Sequence, residues 1–183
     1  MRIKLPHIPY ITNKIILDIE NASFIEIKDQ EDKLKQCIKK VLEEDIANER
    51  RLDERAKDLL EEQEDNVDFA QVDRKNMFWL VKKQLANEFG VFLNTEDRHN
   101  HLAHKILNAL VDEDFVNFVV SENRVKNLIF SSIEGYLKIY EDIEDLVYEK
   151  IDTYKNKPIP GSEEYELLFE KLYEEELRKK GMF

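Results

Sequence analysis

Phe89-Gly90-Val91-Phe92-Leu93-Asn94-Thr95 places a helix end beside a helix start. Gly90 closes a helical pattern, because glycine best tolerates the left-handed conformation just past a helix C-terminus. Asn94-Thr95, followed by the acids Glu96 and Asp97, reads as the N-terminus of the next helix. The last residues are Lys179-Lys180-Gly181-Met182-Phe183, so Gly90-Val91-Phe92 and Gly181-Met182-Phe183 end two stretches in the same way. The seam at Val91-Phe92 is therefore the axis from which the chain is read.

The stretch before the seam begins with Pro6 and Pro9 and then Ile11, Ile15, Ile16 and Ile19 at helical spacing. Phe24 to Lys28 alternates and predicts a short strand. Asp29 or Asp32 is placed to cap the helix that follows, in which Leu34, Cys37, Ile38, Val41 and Leu42 share a face. Helical pattern then runs to Gln63 without Gly or Pro, as one helix from about Asp32 or as two with a bend near Ala47-Asn48. A polar loop is expected at Glu64 to Asp68, then a helix from about Asp73 to Phe89.

The stretch after the seam repeats the plan. Leu102, Ile106, Leu107 and Leu110 mark a helix and Phe115 to Val120 a short strand. Val125 to Ile151 mark a long helical region, Lys157 to Gly161 a breaker, and Ser162 caps the last helix. A register of about 91 residues pairs Phe24-Ile25 with Phe115-Val116, Ile38 with Ile129, Phe78 with Phe169 and Gly90 with Gly181. Identities exceed chance only slightly, and the matching order of elements is the stronger sign. The expected fold is mostly α. It has two tandem pseudo-repeats, residues 1–91 and 92–183, each of helix, short strand, long helix and helix. They are packed as one unit, with a small two-stranded β element joining them.

Composition narrows the function. In 183 residues, 37 % are charged and the net charge is −12, which argues against a general nucleic-acid binder or a binder of anionic membranes. No apolar run reaches membrane-spanning length, and the start of the chain lacks a signal peptide's apolar segment. A single cysteine, Cys37, excludes an intrachain disulfide. A cytoplasmic protein is expected.

The tail Pro160-Gly161-Ser162-Glu163-Glu164-Tyr165, with Leu172-Tyr173-Glu174-Glu175-Glu176-Leu177, carries a resemblance. Together with Leu52-Asp53-Glu54 and Leu59-Leu60-Glu61-Glu62-Gln63, it resembles the bacterial DUF507 family. The resemblance implies a bacterial cytoplasmic protein and supports the two-part layout. It brings no catalytic or binding residue.

The chemistry available is sparse. Asp97, His101 and His104 share one side of a helix, with the two imidazoles about 60° apart, and so form a candidate divalent-metal set. His99 falls on the apolar side and is expected to pack. Glu96-x-x-His99 has di-iron spacing but no second such pair. No phosphate loop, nucleophile elbow or metalloprotease motif is present, so no catalytic residue and no cofactor are assigned.

Lysines and Arg74 of the first half are the only candidate nucleic-acid contacts, and nucleic acid is an unlikely partner on net charge. Apolar residues off the main stripes say more. Trp79 and Leu80 lie away from the stripe through Val81, Leu17 is opposite Ile15 and Ile19, and Tyr136 and Tyr140 belong to tyrosines spread around the second long helix. These residues are the expected contacts for a protein partner or for self-association. The leading expectation is a non-enzymatic interaction or scaffold protein. The alternative is a metal-binding regulator or enzyme built on the histidine cluster.

Overall fold

In the computed structural model, residues 2–28, 31–64 and 74–182 are described. The expected isoleucine stripe forms a helix: Ile11, Ile15, Ile16 and Ile19 are all buried on α1, Ile8–Asn21, and Ile8 is buried with them. Strand β1 is Ile25–Ile27, and α2 runs unbroken from Glu31 to Glu64. The absence of Gly and Pro permits that length, and the one-helix reading holds over the two-helix one. Asp32 lies inside the first turn of α2 and is not its cap, while Asp29 falls outside the described residues. Most of the expected polar loop, from Asp65 to Asp68, also lies outside them.

Helix α3 is Arg74–Leu85, shorter than the expected run to Phe89 because residues 86–90 turn. Then come α4, Thr95–Asp112; β2, Val116–Phe118; α5, Glu122–Asp152; and α6, Glu163–Lys179. The Asn94 side chain accepts from Asp97 N–H at 3.0 Å, and that of Ser162 accepts from Tyr165 N–H at 3.2 Å, as expected of the two caps. No helix among the described residues is long and apolar enough to cross a membrane.

The chain divides into two compact units, Arg2–Glu134 and the residues from Gly135 onward, with the boundary inside α5. The seam at residues 91/92 is a different kind of division, between two runs of the same element order. In the first unit α2 packs on α1, α3 and α4. Strands β1 and β2 pair antiparallel, Ile25 with Phe118, Glu26 with Asn117 and Ile27 with Val116. The central pair, Glu26 and Asn117, is separated by 91 residues. The flanking hydrogen bonds respect the same spacing: Lys28 N–H donates to Phe115 O at 2.9 Å and Val119 N–H to Phe24 O at 3.3 Å.

In the second unit, Ile143, Val147 and Ile151 of α5 are buried, as are Leu172 and Leu177 of α6. Rings of Tyr148, Phe169 and Tyr173 follow one another at 4.9 and 5.8 Å, and Lys150 ion-pairs with Glu176.

Burial follows the 91-residue spacing. Ile11 and Leu102, Ile15 and Ile106, Ile19 and Leu110 are buried pairs, as are Leu34 and Val125, Ile38 and Ile129, Leu52 and Ile143, and Ala56 and Val147. The closing turns match in detail. Gly90 N–H donates to Asn87 O and Val91 N–H to Ala86 O; Gly181 N–H donates to Arg178 O and Met182 N–H to Leu177 O. Both glycines need positive φ, 64° and 68°.

Candidate functional site

The sequence RKNMFWLVKKQL of α3 has four basic residues and no acidic one. Its face toward α2 is unusual, since its one fully buried side chain there is Lys82, 1 % exposed. A buried ammonium is tolerated only when paired. Lys82 Nζ lies 2.5 Å from Asp53 Oδ1 and 3.3 Å from Glu49 Oε1, two carboxylates one turn apart on α2. Arg98, at the start of α4, extends the network. Its guanidinium reaches Asp45 at 2.6 Å and Glu49 at 2.6 Å, and Arg2 reaches Glu49 at 2.9 Å. Three elements, α2, α3 and α4, are thus fastened by one line of acids at positions 45, 49 and 53. Burial opposes ionisation of Glu49, but the hydrogen bond and charge of Arg98, with Arg2 and Lys82, hold its carboxyl below the ordinary range. Burial likewise works against the Arg98 cation, and Asp45 and Glu49 overcome it.

On top of this network stands Trp79, 44 % exposed. The ring is held by cations on the network side, with Lys82 Nζ 5.4 Å and Arg2 Cζ 5.9 Å from its centroid, and it meets Phe78 edge-on at 6.3 Å. Next to it Leu80 is 58 % exposed. Trp79 and Leu80, with Asn76, Lys83, Leu93 and Asn94, line an open recess of about 560 Å³. Leu93 also packs on the small cluster of Leu52, Ala86 and Val91, so the residues of the seam form one wall of the recess. The result is a mainly apolar concavity with a lysine at its rim.

The other sequence candidates lie elsewhere. Leu17 is exposed on α1 and does not line the recess. Tyr136 and Tyr140 are buried, their rings 5.1 Å apart and their hydroxyls hydrogen-bonded to each other. The His101 ring lies tilted against Phe92, centroids 4.6 Å apart, and burial, with Lys105 and His104 nearby, lowers its pKa. His99 is buried, as expected, with Nδ1 2.5 Å from Glu134 Oε1. Among the described residues no three of His, Cys, Asp and Glu group to hold a metal ion, and Asp97, His101 and His104 do not converge.

A second recess of about 480 Å³, between α2 and the α4–β2 end, includes Lys33, Cys37, Glu44, Asp112 and Phe115. Burial, with Glu113 adding, raises the Cys37 thiol against the pull of Lys40, so it stays protonated and is a poor nucleophile.

The family described as a protein of unknown function (DUF507) has a sequence model that matches residues 1–182. The chain belongs to the DUF507 family. Among curated proteins none matches it. Membership thus bears out the resemblance carried by the tail and leaves the chemistry of this DUF507 protein to its own side chains. The network of Lys82 and Arg98 is what sequence reading missed. One signal was present: at the 91-residue spacing Lys82 stands opposite Tyr173, which the helical pattern assigns to the inner face of α6.

Proposed function

We propose that this DUF507 protein is a non-enzymatic docking component that binds another polypeptide on the exposed face of α3. The observation that carries the reading is Trp79. It is the chain's one tryptophan, held half-exposed over a paired ionic platform beside Leu80 and an apolar recess. Tryptophan is favoured as an interface anchor, and a side chain already fixed in place loses little freedom on binding. The surroundings supply no nucleophile paired with a base, which is why binding is preferred to catalysis.

The setting is a bacterial cytoplasm, in keeping with the acidic, single-cysteine composition. The layout is a tandem duplication. Its support is the shared 91-residue spacing of buried positions, closing turns and strand pairs. Divergence then gave the two last helices, α3 and α6, different exposed faces.

A photo-crosslinking residue placed at Leu80 in living cells tests the reading. Protein adducts are expected from position 80, are expected to be lost on Trp79→Ala, and are not expected from exposed position Lys57. Absence of any protein adduct at position 80 would sink the proposal.

A further inference from the structure

The face that α3 exposes and the face that α6 exposes are opposites. At the 91-residue spacing Lys75 corresponds to Glu166 and Lys83 to Glu174, while Trp79 corresponds to Glu170. Helix α6 carries seven acidic residues against three basic ones, whereas α3 carries four basic and no acidic. Of those four, Lys82 is buried against Asp53 and Glu49, and Lys83 is the basic residue that lines the recess. Glu166 and Glu170 are exposed one turn apart on α6, and between them Leu167 is 62 % exposed. Glu174, a turn further on, is engaged at 3.4 Å by Arg178. An acidic helix presenting one leucine matches, in charge and in apolar character, a recess lined by Trp79 and Leu80 with Lys83 at its rim.

We infer that the occupant of the α3 recess is the α6 face of a second copy of this chain. Leu167 enters the recess beside Trp79 and Leu80, and Glu166 and Glu170 face Lys83 at its rim. The inference rests on the docking reading above and names its partner. The two faces of the contact are different surfaces, so each molecule offers one of each kind. The chain's overall negative charge repels a second copy at long range, and screening over about 8 Å at physiological ionic strength leaves the local match to decide.

Sedimentation velocity of the purified full chain tests this. At about 100 µM, a contact with a Kd of about 10 µM is mostly occupied, and wild type is expected to sediment faster than a monomer. A variant with Trp79→Ala and Lys83→Glu is expected to stay monomeric. So is a variant with Glu166→Lys, Leu167→Ser and Glu170→Lys. All of these sites are exposed, and unchanged far-UV circular dichroism and melting verify that each variant is folded. Mixing the two variants is expected to restore a dimer, because each supplies the face the other lacks. The inference is overturned if wild type is monomeric, if the α6 variant still associates, if the mixture stays monomeric, or if nuclease treatment dissolves the assembly. A monomeric wild type that still gives adducts to a different protein at position 80 would end this inference and leave the docking reading standing.

Discussion

Positions 91 residues apart in the chain carry different chemistry. Around α2, positions 45, 49, 53 and 82, together with Arg98 of α4, hold Asp, Glu, Asp, Lys and Arg in one ionic line. Displaced by 91 residues, the same positions hold Tyr136, Tyr140, Glu144 and Tyr173, with His7 corresponding to Arg98. Asp45, Lys82 and Arg98 are buried, and so are Tyr136, Tyr140 and His7. A helix layout of this kind therefore sets where inward-facing polar groups go and leaves their type free. Opposite charges fasten α2 to α3 and α4, and phenols occupy most of the positions displaced by 91 residues. The two solutions differ in how they fail. A buried ion pair that loses one partner leaves a charge uncompensated, whereas a phenol that loses its hydroxyl leaves an apolar ring.

The sharpest test of that difference is Arg98→Ala against Tyr140→Phe. Removing Arg98 takes away the cation paired with Asp45 and leaves Glu49 to Arg2 and Lys82, and a loss of about 3–5 kcal/mol is expected from urea unfolding. Removing the Tyr140 hydroxyl breaks its bond to Tyr136, with a loss of about 1 kcal/mol. Equal losses would mean that the two sets of positions are not held in different ways.

Acid and base separate the halves next. Glu49 has a lowered pKa in the folded chain, so its contribution is complete above the unfolded value of about 4.3 and is lost as pH falls through the folded one. Tyr173 is pushed up to about 12, by burial first and then by Glu144 and Tyr140. Its contribution is complete below the unfolded value of about 10 and is lost as pH rises toward 12. Urea midpoints measured across pH should therefore fall at both ends. Glu49→Gln should flatten only the acid limb, and Tyr173→Phe only the alkaline one. A single variant that flattened both would break the comparison.

Much of this was legible in the sequence and some of it was not. Periodicity located the buried isoleucines of α1 and the leucines of α4, because a helix buried on one side must repeat its apolar residues every three or four positions. Gly90 and Gly181 were legible for a local reason, the positive φ of a helix stop. Trp79 and Leu80 stood out as apolar residues off their stripe, and both are exposed. Lys82 was hidden because periodicity scores a lysine as surface. Its burial depends on Asp53 and Glu49, about 30 positions earlier on another helix. Tyr136 and Tyr140 were hidden for the converse reason, since a tyrosine suits an interface and a core equally well. Histidines clustered in sequence point to a shared ligand only when the helix turns them together, and His99 turned inward to Glu134 while His101 lay against Phe92.

The closing turns test where the halves are alike. A Cβ at Gly90 or at Gly181 meets no atom within 4 Å, so Ala at either position should cost only the left-handed conformation, about 1–2 kcal/mol. Similar losses at the two sites are expected in urea. A loss at one and none at the other would show that only one turn holds its neighbours in place.

The smallest effect concerns Thr12, and its sign is opposite. Thr12 is fully buried on α1 and its hydroxyl oxygen has no hydrogen-bond partner among the described residues, while the position 91 residues on, in α4, is Ala103, also buried and with no polar atom to satisfy. An unpaired buried hydroxyl is a desolvation cost with nothing to offset it. Valine has the same branched shape without the oxygen, so Thr12→Val should leave packing intact and raise stability by about 0.5–1 kcal/mol. Thr12→Ala removes a methyl group as well as the oxygen and opens a space, so it should gain less or lose. The pair is read from urea midpoints at constant m-value. Destabilisation by Val would show that the hydroxyl contributes to the fold of α1 and that the two first helices differ in more than their residue types.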